Sequence, residues 1–294
     1  MRIALYLLIG LGVAVLAAAL TLQSMHGRDV EHVDRRFEEV LRPGDGARFD
    51  PTALEGLPAP ARRWLEATLS GAGPLPASVE LTFSGRMRLS PDQPWVECRT
   101  RHALARDRFV WRVSVETDEI ELEGAELYAD GAGEIRYWLR RFLPTKRHDA
   151  DITRSLRGRL ALDRVFLPSS LLPADDVAWE PIDDRRAVAV LTLDGAEERV
   201  ELTVAPDGTL EHVAIRRWGH RTDDDVFTDI PFGAEILEHR TVDGIRIPSK
   251  LRVSWWDRTE REEEFFEPVL ERAEGGGGGS NESKGEQREQ GRGR

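Results

Sequence analysis

Asp151–Pro173, DITRSLRGRLALDRVFLPSSLLP, is the one clearly helical segment in the middle of a chain that otherwise reads as strand. Ile152, Leu156 and Leu160 fall four apart, which sets them on one stripe of a helix, with Arg154, Arg157 and Arg159 around it. Gly158 weakens that helix by up to about 1 kcal/mol against alanine. Pro168-Ser169-Ser170 starts a further short helical turn carrying Leu171 and Leu172. Val165, Phe166, Leu167, Leu171 and Leu172 are too many apolar side chains for a solvent loop. The segment covers something, either as a lid or as a helix packed on a sheet.

Working outward, both flanks alternate apolar and polar residues with the period of two that marks half-buried strands. On the N-terminal side, Val79, Leu81, Phe83, Met87 and Leu89 form the clearest row, with Gly85 as a candidate bend or bulge. Residues 95–104 follow, with Cys98 as a small buried residue, then Phe109, Trp111, Val113 and Val115. Ile120, Leu122 and Leu127 suggest a fourth strand. Ile135, Tyr137 and Leu139 give the next, with Trp138 on its opposite face. On the C-terminal side, Val177–Trp179, Ala187–Leu193, Val200–Val204 and Leu210–Arg217 are separated by turns at Asp194-Gly195 and Pro206-Asp207-Gly208. Short strands around Ile230–Ile236 and Ile245–Ile247, a longer one through Leu251, Val253 and Trp255, and Phe265-Phe266 close the block.

The N-terminal quarter is different. Ile3–Leu22 carries no charge over about 20 residues, enough at 1.5 Å per residue to span a bilayer core of about 30 Å. It reads as an uncleaved anchor or, because Ala17 and Ala19 offer an A-x-A pattern, as a signal peptide. Val30, Val33, Phe37, Val40 and Leu41 then predict an amphipathic helix over 29–42. Asp50-Pro51 predicts a helix start, and Ala61–Leu69 predicts another helix, with Trp64, Leu65, Thr68 and Leu69 inward. The division is an anchor or signal peptide over 1–27, a helical segment over 28–76, a sheet domain over 77–273 with its insert at 151–173, and a polar tail over 274–294 expected to be disordered.

A net charge of −12, from 53 acidic and 41 basic residues, speaks against nucleic acid as a partner. With a single cysteine the chain can form no internal disulfide and no Cys-rich metal site. G-x-S-x-G, P-loop, dinucleotide and H-E-x-x-H fingerprints are absent. The histidines are dispersed, and Asp223-Asp224-Asp225 lacks the spacing of a calcium loop. No cofactor, metal ligand or catalytic residue is expected. Arg159 and Asp163 form a four-residue helical pair, worth about 0.3–0.5 kcal/mol if exposed and able to orient a polar ligand group if covered. The tryptophans, among them Trp111, Trp179, Trp218, Trp255 and Trp256, read first as core and girdle, and second as the lining of a pocket.

Several short motifs carry a resemblance: Leu57-Pro58-x-Pro60-x-Arg62-Arg63-x-Leu65, Gly85-Arg86-x-Arg88, Phe109-x-Trp111, Gly131-x-Gly133, Arg159…Asp163…Pro168…Leu171-Leu172, and Arg246-Ile247-Pro248…Trp255. They span about residues 55 to 256 and are similar to a bacterial membrane-anchored family of unknown function. The order of elements resembles the LolA-like half-barrel of periplasmic lipoprotein carriers, in which an incomplete antiparallel barrel holds acyl chains beneath inserted helices. That resemblance implies a mainly β, α+β fold: an incomplete antiparallel barrel of roughly 10–11 strands with N-terminal helices and a helical lid.

Three functions then compete. The first is a non-enzymatic protein on the cytoplasmic membrane, its main domain extracytoplasmic (or secreted, if the leader is cleaved), that holds a lipid or other apolar ligand between sheet and lid. Its expected ligand contacts are Trp111, Tyr137, Arg159, Asp163, Phe166, Leu171 and Leu172. The second is a structural or partner-binding module of a cell-envelope complex with a fully packed core. The third is a hydrolase using Asp163 with a nearby histidine.

Overall fold

The computed structural model describes residues 2–117 and 121–276. Ile120 and the tail beyond 276 therefore lie outside the described residues. Among the described residues, thirteen strands form one antiparallel sheet. The first block is β1 (Ser78–Met87), β2 (Val96–Ala105), β3 (Phe109–Glu116), β4 (Glu121–Ala129), β5 (Ala132–Leu139) and β6 (Leu143–Arg147). The second is β7 (Val177–Pro181), β8 (Arg186–Leu193), β9 (Ala196–Val204), β10 (Leu210–Gly219), β11 (Thr228–Val242), β12 (Ile245–Trp255) and β13 (Glu263–Gly275). Each block is a meander, and β13 pairs with β1 to fuse them. The free edges are β6 and β7, so the sheet is an open barrel rather than a closed one.

The connector joins these two edges. Its helix α3 (Ala150–Asp163) starts at Asp149, whose side chain accepts a hydrogen bond from the Ile152 amide at 3.0 Å, a cap worth about 1 kcal/mol. α3 packs against β4 and β5 on one flank and β8, β9 and β10 on the other, so it bridges the gap in the barrel. The helix ends at Asp163, and 3₁₀ turns at Arg164–Phe166 and Pro168–Leu171 complete the segment. Ile152, Leu156 and Leu160 are buried, as their spacing predicts. Full burial of such side chains stabilises by about 1.5–3 kcal/mol each. A methyl group at Gly133 would lie 2.8 Å from Thr153 Cα; the missing side chain there lets α3 rest on β5.

Several expectations change. The apolar N-terminal run and the amphipathic helix are one helix, α1 (Arg2–Val40), because between the two segments the one helix-weakening residue is Gly27, and a single glycine costs about 1 kcal/mol. Asp50-Pro51 opens only a 3₁₀ turn, Pro51–Leu54. α2 (Ala59–Leu69) buries Trp64, Leu65, Thr68 and Leu69. The sheet has more strands than the roughly 10–11 expected, since β6 and most of β13 lack clear alternation. Pro248 does not end a strand; β12 runs through it, and β11 absorbs the mismatch with irregular register around Glu238. The irregularity in β1 falls between Thr82 and Phe83, not at Gly85. At Gly85 an added Cβ would instead meet the Glu267 carbonyl oxygen at 2.2 Å, a close approach of β13.

The two sheet faces bury different partners. The concave face holds the main core with α2 and α3. The convex face takes the C-terminal part of α1, where Val33, Phe37 and Val40 meet Ala103, Ala105, Val110, Ala125 and Leu127. Leu127 therefore does not share a face with Leu122; the two differ by five positions and point to opposite sides. Asp29 fastens the same contact, accepting from Trp138 Nε1 at 2.9 Å and Lys146 Nζ at 2.6 Å and pairing with Arg136. His26 reaches Glu123 at 2.9 Å, near the start of β4. Arg42, just past the helix, meets Ser78 at the start of β1. α1 thus runs the length of the sheet and leaves it at the end where β4 begins and β5 ends. Beyond that point Leu20, Leu16, Val15, Val13, Leu11 and Ile9 are more than half exposed. By length and composition this part of α1 is a candidate membrane span.

Candidate functional site

A cavity of about 400 Å³ lies between the concave face and α3, within the size range of small-molecule sites. One wall is apolar: Phe83 and Met87 of β1, Phe232 and Ala234 of β11, Val253 and Trp255 of β12, and Phe265 and Phe266 of β13 line it. Phe166 meets Phe83 edge-on at 5.6 Å between ring centres. The cavity reaches the surface beside Leu89 and His220, at the same end of the sheet from which α1 projects.

The other wall is polar and buried. Arg159 of α3 donates to Glu126 of β4 and, at 3.2 Å, to Asp163. Tyr137 donates its hydroxyl to Glu126 at 2.8 Å. Arg159 also stacks over Trp111, with Cζ 4.4 Å from the ring centre. Arg217 of β10 donates Nε to the Ser155 carbonyl at 3.3 Å. It lies 4.7 Å and 5.0 Å from the ring centres of Phe232 and Trp255. His102 Nε2 stands 3.6 Å from Asp163 Oδ2 and has no hydrogen-bond partner among the described residues.

Burial pulls on every member of this wall. It pushes Asp163 above the usual carboxylate range and Tyr137 well above that of a phenol. Burial opposes ionisation of Glu126 too, yet the Arg159 and Arg217 charges and its hydrogen bonds prevail and hold it low. Burial, followed by the Arg159 charge, drives His102 well below the ordinary imidazole value, so it stays neutral.

One consequence is a dependence of stability on pH. The unfolded chain takes up a proton at histidine near pH 6.5 that folded His102 refuses, so its contribution is complete above that pH and is lost as pH falls. Wild type should lose about 1 kcal/mol more than His102→Leu between pH 7 and pH 5.5, by denaturant unfolding at each pH. His239, also held low by burial and by Arg246, leaves a slope of the same sign in both proteins.

Of the residues singled out in the sequence, Trp111, Tyr137, Arg159, Asp163 and Phe166 line the cavity together. Leu171 and Leu172 do not. Leu171 is fully buried in the core, and Leu172 packs against that core half-exposed, with the Leu171 carbonyl accepting from Trp179 Nε1 at 3.0 Å. They cover α2 and β7 rather than the cavity because the chain has already turned away at the 3₁₀ segment. Cys98 is buried, which pushes its thiol up to about 12, an unreactive state. Trp255 lines the cavity with Trp111; Trp179 packs beside Trp64 instead.

Glu126, His102 and Arg217 were not anticipated. Each breaks an inward apolar row: His102 sits between Cys98 and Leu104, Glu126 between Leu122 and Tyr128, and Arg217 beyond Val213 and Ile215. A charged residue at inward parity was the available signal. Among the described residues no cluster of metal-ligating side chains occurs.

Comparison with solved structures finds matches at low identity and low TM-score. A DUF1329 family protein from Desulfovibrio piger ATCC 29098 has 10% identity and a TM-score of 0.41, over 69% of this chain and 87% of that one. A LolA superfamily protein from Nitrosomonas europaea has 13% identity and a TM-score of 0.40, over 74% and 94%. No protein of curated function matches the sequence. Residues 47–267, which hold β1–β12, the start of β13, α2 and α3, match the family of unknown function DUF6544, and the chain belongs to that family.

Proposed function

We propose that this protein is a membrane-tethered, extracytoplasmic and non-enzymatic binding protein that holds a lipid or other apolar ligand between its curved sheet and α3. The observation that carries this reading is the cavity itself: apolar along one wall, roofed by α3, and open at the end from which the apolar part of α1 leaves the domain. Ligand sites are concave and mostly apolar with a few convergent polar groups. A purely structural module calls for a filled core and has no use for this space. A hydrolase built on Asp163 and His102 needs a nucleophile within about 2.6–3.2 Å of its base; His102 Nε2 has no such partner among the described residues.

The test uses the full chain in lipid vesicles containing a photoreactive fatty acyl probe. Cross-links are expected on the cavity wall, in peptides holding Trp255, Phe265 and Phe266, as well as on α1. Labelling confined to α1 would mean that lipid only surrounds the anchor, and the reading would fall.

A further inference from the structure

The arginines of α3 are all paired. Arg154 reaches Asp229 at 2.9 Å, Arg157 reaches Glu198 at 2.7 Å, and Arg159 holds Glu126 and Asp163. Three arginines on the cavity lining differ: among the described residues, Arg88, Arg217 and Arg221 have no carboxylate oxygen within 4.0 Å. Arg217 is only 7% exposed. Its Nε is used by the Ser155 carbonyl, its two terminal amino groups make no hydrogen bond among the described residues, and the residue lines the cavity. Burial lowers it to about 10, so it stays charged at neutral pH. Leaving a buried guanidinium without an acceptor is costly. Glu126 and Asp163 attract it only through space, because the hydrogen bonds they take from a guanidinium come from Arg159. The lining carries Arg88, Arg159, Arg217 and Arg221 against only Glu126 and Asp163, in a protein whose net charge is −12.

We propose that the cavity selects an anionic amphiphile, its carboxylate or phosphate headgroup accepting from the free donors of Arg217 and its hydrocarbon lying on Phe232, Trp255, Phe265 and Phe266. This rests on the lipid-binding reading above and adds the headgroup to it. The planar guanidinium fork suits an oxyanion in two-point contact. Arg88 and Arg221 flank Phe265 at the open end: the Arg88 amide donates to the Phe265 carbonyl at 2.8 Å, and Arg221 Cζ lies 6.0 Å from the Phe265 ring centre. They supply attraction at the entrance.

The experiment is displacement of a fluorescent acyl probe from the amphipol-held full chain by four ligands of equal chain length: dodecanoate, dodecyl phosphate, dodecanol and dodecyltrimethylammonium. At least one anion should displace the probe at a concentration about tenfold or more below that of dodecanol, with the cation weakest. The better of the two anions identifies the headgroup, fatty carboxylate or phosphate. Arg217→Gln should reduce the anion's advantage to below about threefold and leave dodecanol unchanged. Equal displacement by dodecanol and both anions, or preference for the cation, overturns the proposal while the lipid-binding reading stands. Failure of the probe itself to bind removes both. If Arg217→Gln does not fold, the ranking of the four ligands on wild type decides alone.

Discussion

Arg159→Met should destabilise the fold by about 3–5 kcal/mol, the cost of removing one partner from a buried charge network. Among the described residues, Arg159 is the sole guanidinium bonded to both Glu126 and Asp163. Methionine fills much of the same space beside Trp111 and Phe109, so the loss is chiefly electrostatic. What remains is two carboxylates behind α3 without a bonded guanidinium, one partly satisfied by the Tyr137 hydroxyl and one beside neutral His102, with only the through-space charge of Arg217 acting on both. The loss should shrink in acid, because protonating Asp163 and Glu126 removes the uncompensated charge. Adding Glu126→Gln and Asp163→Asn to Arg159→Met should recover part of the loss, since replacing a whole buried ionic group costs less than breaking it. Urea unfolding followed by tryptophan fluorescence reads all these variants. A loss below about 1 kcal/mol for Arg159→Met would show that water already reaches the network and that α3 is not a closed roof.

Ala234→Trp should abolish binding of an acyl probe, a drop of more than about tenfold in affinity, while costing about 1–3 kcal/mol in stability. Ala234 is 1% exposed and lies on the apolar wall between Phe232 and the strand β12. An indole there has one place to go, the cavity of about 400 Å³. In a packed core the same change would overpack and cost far more. Function and stability thus separate at this residue: a stable, non-binding variant marks a real cavity, and a stable variant that still binds places the ligand elsewhere. Ala178→Trp, on an exposed position of the edge strand β7, should leave binding intact.

Much of this architecture is legible in the sequence, and the residues show why the rest is not. The stripe Ile152, Leu156 and Leu160 and the row Phe109, Trp111, Val113 and Val115 are periodic, and periodicity reports which face is buried. It does not report what the face is buried against. Leu171 and Phe166 look alike as apolar residues of the connector, yet one fills the core and the other lines the cavity, because both settings select hydrophobic side chains. Leu122 and Leu127 were separable by parity alone. Glu126, His102 and Arg217 were visible as charged or polar residues on inward rows, but their convergence depends on β2, β4 and β10 being brought together across the open barrel. That is information about curvature, which no single strand contains. The unbroken α1 escaped for the opposite reason: a change of composition near Leu22 looks like a boundary, while the backbone there has no cause to stop.

If α1 tethers the domain as proposed, that continuity makes it a rotary index as well. From Leu22 to His26, which contacts the sheet at Glu123, there is about one helical turn and no joint. With the apolar half of α1 set in a bilayer, the azimuth of the cavity mouth is fixed by residue count. One residue inserted in that turn would swing the domain by about 100° around the helix axis and lift it by about 1.5 Å. Seven inserted residues would nearly restore the bearing, short by about 20°, but raise the mouth by about 10 Å. A domain that must meet the membrane at a set angle should tolerate exchange of one apolar residue of α1 for another far better than a change in their number.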